Sequence, residues 1–310
     1  MTLPEPAMSQ DPTDLDTRKP FPIPVVALGP GSQPEDETLD YIEMPTGMST
    51  WQPPILPEPE DLAQHGEVRE VLVEVQQALR RALAGEAVAP IALDGLGAEA
   101  RALLNQILGE GEVSIRIAGR AGDANGPNCL EAQESIYAGV WRVLKRDDDS
   151  GAVRDAIEVG FAPATLAEIA RGEQHRGAGL SPQSSLPEGV MNAPSILAEL
   201  ADHWSRRRSG DAAHVINLTL LPLAPVDLAW LEHELGSGRV LILSRGYGNC
   251  RISSTERPHT WRVVYYNSMD TMILNTIEVV EMPEVALAAH EDLADSLERL
   301  TEALEWLQGA

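Results

Sequence analysis

One short segment concentrates the side chains of this sequence that could do chemistry. From Arg245 to Arg251 the chain reads Arg-Gly-Tyr-Gly-Asn-Cys-Arg, and it carries one of only two cysteines. Arginines beside a thiol can lower its pKa, and the thiolate is the reactive form of cysteine. Glycines permit backbone angles that other residues avoid, so the segment can form a tight loop. The candidate binding residues are Arg245, Gly246, Tyr247, Gly248, Asn249, Cys250 and Arg251.

A thiol enzyme would need a general base within hydrogen-bond reach of Cys250. The candidate bases are His259 and His214, and no local motif fixes either of them beside the cysteine. The Gly-x-Ser-x-Gly motif of a serine hydrolase is also absent. We therefore predict that the loop binds a partner rather than catalyses a reaction, and we assign no catalytic residue. A thiol-dependent enzyme stays open as a third hypothesis.

The spacing of histidines and cysteines gives little support for a metal site. Cys129 and Cys250 have no C-x-x-C partner, and the sequence contains neither H-x-x-x-H nor H-E-x-x-H. A dinucleotide fingerprint is excluded because Gly246 and Gly248 precede a strand pattern instead of a helix. We predict that the protein needs no metal and no cofactor. If a metal is held, its candidate ligands are Cys250 and Cys129.

Strand patterns around the loop would position it. Val240–Leu243 is a short apolar run, Trp261–Tyr266 is rich in β-branched and aromatic residues, and Met272–Val280 alternates as a strand does. A long helix is predicted after Pro283, and its leucines form a near-heptad seam. We expect this seam to pack on its own domain, with a partner helix as the alternative. The seam consists of Leu293, Leu297, Leu300, Leu304 and Leu307.

Much of this stretch occurs twice in the chain. The matching segments are Leu108–Ile117 with Leu235–Ser244, Val140–Val143 with Thr260–Val263, and Ala156–Pro163 with Thr276–Pro283. Ile91, Leu93 and Leu96 are further matched with Leu218, Leu220 and Leu223. Repetition in the same order predicts an α+β fold made of two tandem copies of one α-β-α-β-β-β-α unit. Trp141 and Trp261 should then lie on equivalent strands.

A proline-rich, acidic arm precedes the repeat. The first 60 residues hold 13 of the 23 prolines, so we expect this arm to be largely unstructured. Residues 41–56 concentrate large apolar groups, and we expect them to dock on the folded body. The predicted organisation is an arm over 1–60, a first, degenerate unit over 61–171, a linker over 172–191 and a second unit over 192–310.

The formal net charge of −25 is the strongest global feature. It argues against nucleic-acid binding, which needs clustered Lys and Arg to neutralise phosphates. It fits either solubility alone or a basic partner attracted by long-range fields. No run approaches the roughly 18 to 20 apolar residues that span a bilayer, so no membrane insertion is expected. The N-terminus does not read as a secretory signal, and two cysteines fit a reducing compartment, so we expect a cytoplasmic protein.

Three long segments of the sequence are distinctive: Ala213–Leu223, Leu243–Ser254 and Trp261–Asp270. They closely resemble the HupH/HyaF (HoxQ-like) family of hydrogenase expression/formation proteins. The similarity extends to Met44–Met48, Gln52–Glu60 and Val190–Pro194. It therefore covers nearly the whole chain from about residue 41 onward.

This resemblance implies an accessory protein or chaperone for the maturation of an uptake nickel–iron hydrogenase. It implies binding of the iron–sulfur small-subunit precursor before twin-arginine export, with other hydrogenase accessory proteins as further partners. It brings no established catalytic residue. The alternative is a maturation factor that handles a metal or an iron–sulfur cluster through Cys250.

Overall fold

The structure is a computed structural model that describes most of the chain. The described ranges are 65–119, 129–146, 152–167, 186–246 and 248–306. The predicted arm with its docked segment 41–56, most of the predicted linker and Tyr247 lie outside the described residues.

The two halves of the chain repeat one order of elements. The first half contains α1 (Gly66–Leu83), β1 (Ile91–Ala92), α2 (Ala98–Leu108), β2 (Val113–Ile117), β3 (Leu130–Glu134), β4 (Val140–Arg146) and β5 (Val153–Val159). The second half contains α3 (Ala193–Arg206), β6 (His214–Asn217), α4 (Pro225–Leu235), β7 (Val240–Ser244), β8 (Asn249–Ser254), β9 (Thr260–Tyr266), β10 (Met272–Val279) and α5 (His290–Trp306). Short 3-10 helices at Leu218–Leu220 and Glu284–Ala286 follow β6 and precede α5. Among the described residues, no helix is both long and apolar enough to cross a membrane.

The predicted α-β-α-β-β-β-α order is wrong in one respect, because each half has four strands after its second helix. The missed strands are β3 and β8. In β3 the core-facing apolar residues are only Leu130 and Ala132, and in β8 they are only Cys250 and Ile252. Strands of an antiparallel sheet alternate between a buried and a solvated side, so short ones carry little apolar signal.

The ten strands of the described residues form one antiparallel sheet, in the order β1-β5-β4-β3-β2-β7-β8-β9-β10-β6. The two halves meet where β2 pairs with β7. In this register Ile115 lies opposite Ile242, and these two residues are equivalent in the sequence repeat. The flanking pairs, Val113 with Ser244 and Ile117 with Val240, are symmetric about that point. The halves are therefore related by an approximate two-fold axis through Ile115 and Ile242.

The two repeated tryptophans occupy equivalent positions. Trp141 and Trp261 are each the second residue of their strands, β4 and β9. The Trp141 Nε1–H donates to the Gly160 carbonyl oxygen at 3.0 Å, and the Trp261 Nε1–H donates to the Val280 carbonyl oxygen at 3.1 Å. The prediction that these residues lie on equivalent strands is confirmed.

One part of the sequence alignment between the halves needs correction. Ile91 pairs with Ile157 across the sheet, and Ile216 pairs with Ile277. Since Ile157 and Ile277 are equivalent in the repeat, Ile91 corresponds to Ile216 and not to Leu218. The spacing between the halves is thus 125 positions at β1 and β6 and 127 at β2 and β7, because the connection after β6, which contains the 3-10 helix, is two residues longer than the connection after β1.

The helices cover one face of the sheet. In the first half α1 and α2 pack there around Ile157, and in the second half α3 and α4 pack around Ile277. The opposite face carries Trp141, Trp261 and the central pair of isoleucines in one shared core. This core is continuous across the β2–β7 junction, so the two halves are held together by backbone hydrogen bonds and by apolar packing.

Helix α5 packs on the first half of the chain, and the expectation that it packs on its own domain is wrong. Its leucines Leu293, Leu300 and Leu304 belong to the same core as α1. The Gln76 Nε2 donates to Thr301 Oγ1 at 2.7 Å. The Arg299 guanidinium donates to the carbonyl oxygen of Ile136 at 3.2 Å. The chain thus closes on itself, with its last helix against its first described one.

Candidate functional site

The predicted binding loop is a hairpin connection followed by the start of a strand. Arg245 and Gly246 follow β7, whereas Asn249, Cys250 and Arg251 lie in β8 and not in a loop. Alternate residues of a strand face opposite sides. The structure accordingly buries Cys250 and leaves Arg251 exposed, so the two side chains do not meet.

The backbone of the hairpin lies against the first half of the chain. The Arg245 N–H donates to the Glu112 carbonyl oxygen at 3.1 Å. A Cβ at Gly246 would meet the carboxylate end of the Glu112 side chain, so the hairpin lies close against Glu112. Asn249 Nδ2 lies 3.4 Å from Asp270 Oδ1. The hairpin is therefore held between Glu112 on one side and Asp270 on the other.

Cys250 is not an activated thiol. Burial raises the pKa of its thiol to about 11, and the hydrogen bond with the Tyr265 side chain only partly offsets this. The pKa of Tyr265 is itself raised to about 12, first by burial and then by Cys250. The expectation that neighbouring arginines lower the pKa of Cys250 is therefore wrong. The thiol stays protonated at neutral pH and is a poor nucleophile.

The candidate bases are placed away from Cys250. His259 lies in the turn after β8, whereas Cys250 lies near the start of that strand. His214 begins β6, which is separated from β8 by β9 and β10 in the sheet. Cys129 precedes β3 in the first half, and its carbonyl oxygen accepts from the Arg146 N–H at 3.0 Å. Neither candidate histidine is thus placed beside the thiol.

A large cleft of about 1080 Å³ opens beside the hairpin. It lies between the face of the sheet that carries the tryptophans and the segment that leads into α5. From the predicted loop, Gly246, Gly248 and Cys250 line it. Apolar side chains such as Val215 and Leu287 also line it, and they are partly exposed to solvent. The cleft is thus built from both halves of the chain.

Carboxylates dominate the charge of this cleft. Its acidic lining residues are Glu112, Glu134, Glu278, Glu284, Asp292 and Asp295. The one cationic side chain among the described lining residues is Arg299, which lies 3.5 Å from Asp295 and over the Tyr137 ring. In addition, Ser296 is buried on α5, lines the cleft, and its Oγ has no hydrogen-bond partner among the described residues. Such a surface favours a cationic, hydrogen-bonding ligand.

Among these carboxylates, Glu134 has the most strongly shifted pKa. It is 7% exposed, and its Oε1 accepts a hydrogen bond from the Gly139 N–H at 3.0 Å. The pKa of Glu134 is raised to about 7, first by burial and then by Glu112 and Asp292, against the lowering effect of that hydrogen bond. Burial likewise raises the pKa of Glu278. A cation in the cleft would favour the charged form of both groups.

The raised pKa of Glu134 predicts a pH-dependent cost to folding. The unfolded carboxyl loses its proton near its ordinary pKa of 4.5, whereas the folded one keeps it up to about 7. The folded state therefore binds more protons in this window, and the free energy of unfolding falls as pH rises through it. Glu134→Gln should remove this loss, so variant and wild type should diverge by about 3 kcal/mol between pH 4.5 and pH 8.

Urea denaturation at several pH values measures this divergence. Glu131→Gln is the matched control, because Glu131 lies on the same strand with an exposed side chain paired to Arg116. If the two variants show the same pH dependence relative to wild type, Glu134 is not a buried proton-binding group.

Sequence reasoning found the hairpin side of the cleft and missed its acidic side. The missed residues come from distant parts of the chain: Glu112 and Glu134 from the first half, Glu278 and Glu284 from β10 and the 3-10 helix after it, and Asp292 and Asp295 from α5. The Gly-Glu-Gly-Glu stretch before β2 was a visible signal, but nothing in the sequence places it beside α5. The role of the hairpin in binding stays a prediction.

Comparison with known proteins connects this architecture to one family. The family model for the HupH hydrogenase expression protein, C-terminal conserved region, matches residues 67–175 and again residues 190–307. The chain belongs to the HupH family. In this HupH-family chain, each matched segment covers one of the two halves of the sheet, and residues of both segments line the cleft.

Several relatives match over nearly their whole length. The chain is 54% identical to the hydrogenase expression/formation protein HoxQ of Cupriavidus necator, over 93% of this chain and 98% of that protein. It is 48% identical to the hydrogenase expression/formation protein HupH of Rhodobacter capsulatus, over 92% and 98%. The hydrogenase-1 operon protein HyaF of Escherichia coli is 36% identical, over 91% and 96%. A solved structure of HupH from Thiobacillus denitrificans covers 36% of this chain and 92% of its own, with 32% identity and a TM-score of 0.34.

Proposed function

We propose that this protein is an accessory protein of hydrogenase maturation that binds the iron–sulfur small-subunit precursor before export. The relatives are named as hydrogenase expression/formation proteins, which supports a role in making the enzyme. In this role it is a binding protein and not an enzyme. The raised pKa of the buried Cys250 makes its thiol a poor nucleophile, which supports binding over catalysis.

The acidic cleft is the observation that supports this mode of binding. Precursors with a twin-arginine signal have a basic start, and a cluster of carboxylates attracts arginine and lysine side chains. The exposed apolar residues Val215 and Leu287 at the same cleft offer contacts for the aliphatic parts of such a segment. The buried hydroxyl of Ser296 and the backbone at Gly246 and Gly248 add polar groups. We therefore assign the basic signal segment to this cleft.

A capture experiment tests this function. The tagged protein is mixed with the small-subunit precursor of its own hydrogenase, either with or without the signal peptide. We expect capture of the complete precursor and much weaker capture of the form that lacks the signal. Capture should also fall when the ionic strength rises from about 0.1 M to about 1 M, since the Debye length drops from about 10 Å to about 3 Å.

Equal capture of both forms would contradict the assignment of the signal segment, while no capture of either form would contradict the function itself. Iron analysis of the purified protein and its complex separates the alternative function. Iron that stays with the protein and is lost on Cys250→Ser would favour cluster handling over precursor binding.

A further inference from the structure

A second cluster of polar side chains lies between α3 and β6, on elements other than those of the hairpin. Glu199 and His203 are one turn apart on α3, and His214 is the first residue of β6. The His214 Nε2 lies 2.8 Å from Glu199 Oε1, and the imidazole rings of His203 and His214 stack with centroids 3.5 Å apart. One ligand atom from each residue lies within 4.8 Å of the other two.

Two imidazoles and one carboxylate are a donor set that binds zinc and leaves a fourth position for water. We propose that Glu199, His203 and His214 form a binding site for a Zn²⁺ ion. No other group of three His, Cys, Asp or Glu side chains is so placed in the part of the chain that the structure describes. The sequence contains a signal for this site, because Glu199 and His203 are four residues apart and residues at this spacing share one face of a helix.

Side-chain rotations that turn the two stacked imidazole rings out of their parallel arrangement would bring these donors onto one ion. Zinc–ligand bonds of about 2.0 to 2.1 Å in a tetrahedral site place the donor atoms about 3.3 Å apart. The donors here, at 4.8 Å or less, need to approach by at most about 1.5 Å. His214 and Glu199 are already closer than that, so the ion would replace their hydrogen bond with two metal–ligand bonds.

The backbone around the cluster is well fixed. Arg207, directly after α3, donates to the carbonyl oxygens of Asp211 and Val279 at 3.3 Å and 3.1 Å. The Arg208 N–H donates to Asp211 Oδ2 at 2.7 Å. His214 itself is paired with Val279 in the sheet. Hydrogen bonds therefore fix both ends of the connection between α3 and β6, which keeps the three ligands in one place.

The first half of the chain has no counterpart of this cluster. With the spacing of 125 positions that relates Ile91 to Ile216, the equivalent residues are Glu74, Ala78 and Ala89. Alanine methyl groups cannot bind a metal. The common fold is thus formed in the first half without the two histidines, which argues that they serve a purpose other than packing.

Zinc titration of the whole protein tests the site. After treatment with a chelator and dialysis, calorimetry should show one saturable Zn²⁺ site per chain. His203→Ala should weaken binding by at least about 100-fold, because even changes to groups behind the ligands cost about 10- to 100-fold. His233→Ala is the matched control, since His233 is 83% exposed on α4 and should leave the affinity unchanged.

Circular dichroism of each variant establishes that it is folded, and Glu199→Gln gives a second test that preserves the shape of the site. Co²⁺ can replace Zn²⁺ as a spectroscopic probe, and we expect a tetrahedral spectrum without thiolate charge-transfer bands. Cys250→Ser should bind zinc as the wild type does. The proposal is overturned if the wild type binds no zinc, if folded His203→Ala and Glu199→Gln both bind it normally, or if Cys250→Ser abolishes binding.

Discussion

Gly139→Ala should lower the free energy of unfolding by about 2 to 5 kcal/mol. Gly139 has a φ of +79°, and a Cβ there would lie 2.5 Å from Leu293 Cδ1 on α5. A left-handed backbone costs a non-glycine residue about 1 to 2 kcal/mol, and overpacking a core costs about 1 to 3 kcal/mol. Urea denaturation measures the sum. Because Leu293 packs on the first half, the loss should come with earlier detachment of α5, seen as faster hydrogen exchange there.

Gly85→Ala separates the two contributions. Gly85 has nearly the same φ, +75°, but nothing lies within 4 Å of its Cβ position. This control should lose only the backbone contribution of about 1 to 2 kcal/mol. The equivalent of Gly139 in the second half is His259, which keeps a side chain at a φ of +53°. If Gly139→Ala lowers the free energy of unfolding no more than Gly85→Ala does, α5 does not pack against this turn.

The duplication could be predicted from sequence, but the way the copies join could not. Three segments recur in order, and side chains such as Trp141 and Trp261 report their shared environment directly. The β2–β7 pairing depends on backbone N–H and C=O groups, which are the same in every residue. The sequence pattern of an edge strand that pairs with a second sheet is the same as that of any other strand. For the same reason the sequence did not distinguish two separate units from one ten-stranded sheet.

Polar networks of the two halves show a further limit of sequence comparison. In each half a strand arginine bonds one carboxylate and one amide, but the carboxylate and the amide have exchanged places. The two sets are Arg142 with Asp155 and Asn105, and Arg262 with Glu232 and Asn275. Each position alone looks like a polar substitution. Only the fold shows that the pairing of one guanidinium with one carboxylate is retained in both halves.

The candidate site was only half visible for a related physical reason. Glycines and a cysteine close together form a recognisable motif in one short segment, so the hairpin at Gly246 and Gly248 could be predicted from sequence alone. The net charge of −25 gave no location, because acidic residues are spread along the chain. Their convergence depends on α5 crossing to the first half, which brings Asp292 near Glu134. That crossing follows from tertiary packing and leaves no local signal.

Neutralising three carboxylates of the cleft should weaken binding of the small-subunit precursor at least about tenfold. The variant combines Glu284→Gln, Asp292→Asn and Asp295→Asn, all of which line the cleft. An exposed ion pair contributes up to about 1 kcal/mol, so three at about 0.5 kcal/mol each correspond to about a tenfold change in affinity. Glu298→Gln, Glu302→Gln and Glu305→Gln form the control, since these exposed residues of α5 remove the same charge elsewhere.

The most direct measurement is calorimetric titration of the complete precursor into the wild type, the cleft variant and the control variant at one ionic strength. The cleft variant should bind at least about tenfold more weakly, and the control variant should bind as the wild type does. With a precursor that lacks its signal peptide, the three proteins should be indistinguishable. If both variants lose affinity equally, or if the cleft variant binds the complete precursor normally, the acidic cleft is not the site of the basic signal segment.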